Sequence, residues 1–286
     1  MSRTVQAWLL LIPAVCVIVA FFLGGLVFGL TRSLNYMPLI GLNDPNFDAY
    51  VSIFSNVEFY RALLLSLHIA ISSTVIATVL AIACALLLRE AFAGKRVITF
   101  IFQLNLTIPH LVGGVAILFL LSQSGFVARL GHVFGLIETT TDFPALVFDR
   151  FAIGIIAQYV WKEVPFIGVI TLAILQSMGD DYESIARTLG ANWWKRLRYV
   201  IIPLIMPGVL RASIVVFAFT FGAFEIPFLL GQTYPAALPV LAYRSYVDVD
   251  LAARPEAMAM AVVIAVISAC LIFLYIQASR RYVRRD

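Results

Sequence analysis

The chain has 286 residues, of which 62% are hydrophobic and only 13% charged. Soluble domains carry roughly half apolar and a quarter charged residues, so this balance excludes an ordinary soluble enzyme and points to an all-α, polytopic membrane protein. The net charge of +4 comes from cations beside apolar runs rather than on one continuous basic face, which argues against nucleic-acid binding and for membrane topology.

In chain order, residues 7–30 form an apolar run long enough for a hydrocarbon core of roughly 30 Å. Arg3 precedes it and no small-residue cleavage site follows, so it reads as a retained first span. Residues 31–60 are polar, with turn formers from Asn43 to Asn46 and a short amphipathic helix through Tyr50, Ile53 and Phe54. The second span is 62–88, where Ser66, Ser72, Ser73 and Thr74 supply small side chains for close helix packing in lipid. A basic loop with Arg89, Glu90, Lys95 and Arg96 leads to a third span, 97–121, which Pro109, His110, Gly113 and Gly114 should kink or break. A mixed loop, 122–149, precedes the fourth span, 151–175. After a polar segment, 180–203, come the fifth span, 204–230, a loop, 231–254, and the sixth span, 257–278. Cys16, Cys84 and Cys270 each lie in an apolar run without CxxC spacing and are expected as buried small hydrophobes, not as a disulfide or metal site.

The polar segment is the part the spans present. Tyr182, Ile185, Ala186 and Leu189 fall at i, i+3, i+4 and i+7, one apolar helical face. Asp180, Asp181 and Glu183 suit its start, and Gly190 stands where a left-handed cap belongs. Asn192 can cap a second piece, Trp193 to Val200, carrying Lys195, Arg196 and Arg198 and ending before Pro203. Such a helix, glycine, helix segment is either an interfacial helix or a docking site for another protein. Placing both termini inside gives twelve inner cations against six outer ones, which orients the segment toward the cytoplasm.

The spacing of Gly190, Val200, Ile202 and Pro203 resembles the cytoplasmic loop of the permease subunits of binding-protein-dependent ABC importers. There the pattern is E-A-A, three residues, Gly, nine residues, Ile, one residue, Leu-Pro. Ser184, Ile185 and Ala186 stand at the E-A-A positions, so Glu183, one residue early, is a substitute for the motif's glutamate. The resemblance implies a single transmembrane permease domain over 1–286 with six transmembrane helices. It implies a cytoplasmic coupling helix between helices 4 and 5, with Glu183, Ala186, Leu189, Gly190, Ala191 and Pro203 as its coupling residues. The implied partners are a pair of ABC ATPase subunits, a second permease subunit, identical or homologous, a periplasmic or extracytoplasmic solute-binding protein, and the lipid bilayer. The implied place is a bacterial or archaeal cytoplasmic membrane.

No phosphate loop is present: Lys95 is followed by Arg96 and lacks an upstream glycine run. HExxH and GxSxG are also absent, so the chain is expected to be non-catalytic and without cofactor, with ATP and Mg in the partner ATPase. Lys162 and Glu163 sit in the fourth span, where each charge costs about 2.5–3.5 kcal/mol, so they should face protein or water. Adjacent on a helix, they point about 100° apart and cannot pair squarely with each other. They are either pathway residues or a structural link to another span. Asn105, Gln158 and His110 are weaker pathway candidates, His110 also suiting a helix-kink partner. Glu225 lies toward the outer end of the fifth span, as part of a gate or as a contact with the binding protein or Arg244. The stretches Trp161 to Phe166 and Gly222 to Gly231 resemble the polyamine, sulfate, ferric iron and phosphonate permeases. An acidic mouth suits a polyamine-like cation first, otherwise an oxyanion, a phosphonate or ferric iron. An ion-coupled secondary transporter is the alternative class.

Overall fold

Apolar stretches of this length can satisfy their backbone groups inside lipid only as helices. A computed structural model of the chain describes residues 3–90, 93–179 and 181–283, and among these only helices, turns and one isolated bridge, Met37 with Leu42, are found. Asp180, Arg284 and Arg285 lie outside the described residues. The helices are α1 (Arg3–Ser33), α2 (Asp48–Ser55), α3 (Val57–Arg89), α4 (Lys95–Leu104), α5 (His110–Leu121), α6 (Phe126–Val133) and α7 (Ile153–Met178). They continue with α8 (Asp181–Thr188), α9 (Trp193–Arg196), α10 (Ile202–Gly222), α11 (Glu225–Leu230), α12 (Leu238–Tyr246) and α13 (Arg254–Val283). Among the described residues, six stretches are long and apolar enough to cross a membrane.

Two compact units divide the chain, one of Met1–Tyr60 with Leu238–Val266 and one of Arg61–Ala237 with Ile267–Asp286. Polar contacts organise the first: Ser33 Oγ and Tyr50 OH lie 2.8 Å apart, Asn35 donates to Asn46 Oδ1 at 2.7 Å, and Ser52 donates to Glu256 at 2.6 Å. Small residues organise the second. Ala77, Ala81 and Ala85 on α3 are fully buried against Ile167, Leu172 and Leu175 of α7 and Ile205, Val209, Ala212 and Val216 of α10. Without a side chain beyond Cβ, this stripe brings the helices close enough for Thr78 and Ser213 to meet at 2.8 Å.

Four expectations are corrected. The third apolar stretch, read as one span over 97–121, is divided into α4 and α5 by a 3-10 turn at Asn105–Thr107, and the membrane-length stretch runs His110–Val133. Pro109 has no N–H to continue the ladder, so the break is complete rather than a kink. The fifth, read as 204–230, ends at Gly222, and Glu225 opens the separate α11. The helix expected to stop before Pro203 continues from α9 through a π-helical segment, Leu197–Ile201, into α10. Pro203 lies within this continuous run, two residues after the π-helical segment in which the ordinary ladder is already replaced by a wider one. Cys16 and Cys270 are exposed, not buried; outward positions of a spanning helix admit a small hydrophobe as readily as the core does.

Ala81→Leu should lower the melting temperature of the detergent-solubilised protein, since overpacking costs about 1–3 kcal/mol. Leu64→Ala, at an exposed position of the same helix, should leave melting unchanged. Equal melting of the two variants would show that the stripe is not tightly packed.

Candidate functional site

Two prolines create the polar problem that the intramembrane candidates solve. Pro165 lies inside α7, so the carbonyl four residues back, on Trp161, loses its helical donor. The side-chain nitrogen of Asn105 donates to that carbonyl at 2.6 Å. In return, Lys162 Nζ donates to the carbonyls of Asn105, at 2.6 Å, Leu106, at 3.3 Å, and Ile108 at the break before Pro109; the Asn105 carbonyl also accepts from Ile108 N–H at 3.1 Å. The partners of this buried ammonium, 5% exposed, are therefore carbonyls and not a carboxylate. A cation is well placed there, at the negative end of a helix that stops inside the membrane.

The neighbouring turn repeats the pattern. Gln158 Nε2 donates to the His110 carbonyl at 3.1 Å, and Glu163 Oε1 lies 3.2 Å from His110 Nε2. The structure thus brings Asn105, His110, Gln158, Lys162 and Glu163 into one cluster linking α7 to the broken third stretch. The Oδ1 of Asn105, the Oε1 of Gln158 and the hydroxyl of Tyr159 are buried in it without a protein partner among the described residues. The His110 ring also packs on Phe219 of α10, centroids 4.8 Å apart. Glu225 is exposed at the start of α11.

The segment after α7 folds as helix, glycine, helix. Gly190 is left-handed, with φ +80° and open space around it. Ala191 N–H donates to the Ala186 carbonyl and Gly190 N–H to that of Arg187, both at 2.9 Å, the paired bonds of a Schellman C-cap. Asn192 Oδ1 then accepts from Lys195 N–H at 2.9 Å and opens α9. Tyr182, Ile185 and Leu189 stand exposed, Leu189 at 82%. Glu183 points the other way, 8% exposed, between the guanidinium groups of Arg89 and Arg196.

Sequence reading missed Arg211, an exposed cation within α10. It missed Arg89 as a partner of Glu183 as well. The first had a signal, a charge inside an apolar run. The second had none, because Arg89 and Glu183 are 94 positions apart and only the fold joins them.

Residues 77–285 match the family model described as binding-protein-dependent transport system inner membrane component. The chain belongs to this family of permeases. Among its relatives, the molybdenum transport system permease protein ModB of Mycobacterium bovis is 30% identical over 198 residues, 66% of this chain and 68% of that protein. The sulfate transport system permease protein CysT of Salmonella typhimurium is 23% identical, covering 85% of each. The trehalose transport system permease protein SugA of Mycobacterium tuberculosis is 27% identical over 85% of this permease and 79% of its own length. In fold, the permease is similar to a chain of a bacterial ABC transporter involved in import of the acidic polysaccharide alginate. That chain has a TM-score of 0.82 at 20% identity, with 98% of this permease and 96% of that chain covered. The permease is thus a multi-pass inner-membrane subunit of an ABC importer, which decides against an ion-coupled secondary transporter.

Lys162→Met removes a donor from three carbonyls and leaves those of Leu106 and Ile108 unsatisfied, the Asn105 carbonyl keeping the Ile108 N–H, at about 1–3 kcal/mol for each group left unsatisfied. Melting temperature and uptake should both fall, with Lys162→Arg keeping more of each. Unchanged melting and uptake in Lys162→Met would remove the break from the working machinery.

Proposed function

We propose that α8, Gly190 and α9 form the coupling helix by which this permease subunit takes up motion from a separate ATPase. The observation that carries this is the exposed apolar face of Tyr182, Ile185 and Leu189. A charged helix that keeps such a face out of its own core has kept it for a partner. Trp193, Trp194 and Tyr199 extend the exposed apolar surface. The Schellman cap supports the reading, because it holds the two helices at a set angle and lets them act as one lever. The charge asymmetry between loops supports a cytoplasmic position for the segment and for both termini.

In this reading a solute-binding protein delivers solute outside, and a pair of ATPase subunits, holding ATP and Mg, drives the coupling helices of this chain and a second permease subunit. The pathway is lined from the cluster around Lys162 and Glu163 toward Glu225. For the solute, Glu225 supports a polyamine-like cation. Exposed Arg211 supports an oxyanion or phosphonate instead, as do the molybdenum and sulfate systems of two relatives. Ferric iron stands behind both. Calorimetric titration of the cognate binding protein with spermidine, sulfate and molybdate decides between the classes. Spermidine binding alone would sink the oxyanion reading, and binding of sulfate or molybdate alone would sink the cationic one.

Gly190→Val places a β-branched residue at φ +80°, at a cost of about 1–2 kcal/mol. It should uncouple ATP hydrolysis from uptake without preventing membrane insertion. Gly190→Asn, which tolerates that conformation, should keep most activity. Leu189→Asp should abolish co-purification of the ATPase with the tagged permease; retention in full would move the docking surface elsewhere.

A further inference from the structure

Glu183 occupies the face of α8 opposite the exposed one. Arg89 Nη2, on the last residue of α3, contacts its Oε1, and Arg196 Nε, on the last residue of α9, lies 3.4 Å from its Oε2. The second is a contact of charges without hydrogen-bond alignment, since Arg196 Nε has no hydrogen-bond partner among the described residues. All three side chains are largely withdrawn from water, at 19%, 10% and 15% exposure. One carboxylate thus joins three elements.

What lies around the triad decides its role. A cleft of about 190 Å³ separates the end of α3 from α8 and α9, lined by Leu86, Arg89, Glu183, Arg187, Trp193 and Leu197 among others. Packing at this point is incomplete, and the ion pair spans the gap. The chain itself connects α8 to α10 through α9 and the π-helical segment. No such short connection joins α8 to α3, which precedes it by 91 residues between Arg89 and Asp181. The end of α3 is held in turn by Lys95, whose Nζ donates to the Arg89 carbonyl at 2.9 Å.

We infer that the Arg89–Glu183–Arg196 triad is a tie that makes the end of α3 move with α8, with Arg89 and Glu183 as positioning residues of the transport cycle. This rests on the reading of α8 as the coupling helix. Motion entering through Tyr182, Ile185 and Leu189 divides behind Glu183. One branch runs along the backbone into α10 and the other passes through Arg89 into α3. A pair withdrawn from water is screened little by salt, so the tie holds at cellular ionic strength. Among the described residues, loss of Glu183 leaves Arg89 with only the exposed Glu90, 3.6 Å away on its own side of the cleft, and loss of Arg89 leaves Glu183 with Arg196 alone, so either change frees α3 from α8.

The test uses the complete transporter, permease with ATPase, in lipid nanodiscs. Cys16, Cys84 and Cys270 are replaced by serine, and spin labels are attached at Leu87→Cys and Ser184→Cys, both exposed positions. The distance between labels is measured without nucleotide and after trapping with Mg-ATP and vanadate. With the triad intact it should stay constant, because α3 and α8 move together. In Glu183→Gln and in Arg89→Met it should change on trapping, and the double variant should change no more than either single one, since both remove the same contact. Glu183→Asp should restore part of the constancy. The ATPase should co-purify with every variant, because docking uses the opposite face. A distance that shifts equally with and without Glu183 overturns the tie while leaving the coupling helix standing. Loss of ATPase from Glu183→Gln alone overturns it too, by placing Glu183 in the docking surface. If the unsubstituted permease recovers no ATPase, it is the coupling reading that fails.

Discussion

Two reciprocal hydrogen bonds, Asn105 Nδ2 to the Trp161 carbonyl and Lys162 Nζ to the Asn105 carbonyl, tie α7 to the break after α4. Each side of the contact carries a proline that strips a carbonyl of its helical donor, and each supplies the side chain that satisfies the other. In water such carbonyls would be hydrated at little cost. In a bilayer the protein must supply the donors, so the helix can stop after Leu104 only where α7 offers Lys162 to the carbonyls left at the break. The charges in the fourth span are therefore first of all the means by which an interrupted helix is kept in lipid. Glu163 follows from the same constraint, turning to His110 rather than to its neighbour Lys162.

That arrangement places polar groups, and an interruption of the backbone, where α5, α7 and α10 come together. His110 touches Phe219 of α10, and α10 carries Arg211 and leads back to the π-helical segment, α9 and α8. One continuous run of helix, α9 through α10, therefore joins the Gly190 cap that ends α8 to the polar cluster. A π-helical turn in such a run can take up a small change of register without breaking the helix, a useful property in an element that must transmit motion.

Glu183 shows how a motif position can mislead. Read as a substitute for the glutamate of a docking motif, it invited a role at the surface. The helix instead turns it inward to two arginines and leaves its apolar residues outside, an inversion of the usual amphipathic arrangement. The inversion is the feature from which the coupling role is proposed. Inside the chain, buried charge is compensated by charge; outside, Tyr182, Ile185 and Leu189 stand exposed.

The sequence by itself determined the class, the six apolar stretches, the left-handed Gly190 and the Asn192 cap, because hydropathy, helical period and backbone conformation are local properties. The spacing of Gly190 and Pro203 carried the family for the same reason. It also predicted that Pro109 would interrupt the third stretch and that Lys162 and Glu163 would not pair. Which partners they take instead was decided by the tertiary structure alone, since Asn105, Leu106 and Ile108 stand more than fifty positions from Lys162. The inward turn of Glu183 toward Arg89 and the passage of α9 into α10 were likewise beyond local reading. A side chain's exposure and its distant partners depend on which helices pack together, and in a membrane that packing is set by small residues such as Ala77, Ala81 and Ala85, whose apolar character is the same on every face.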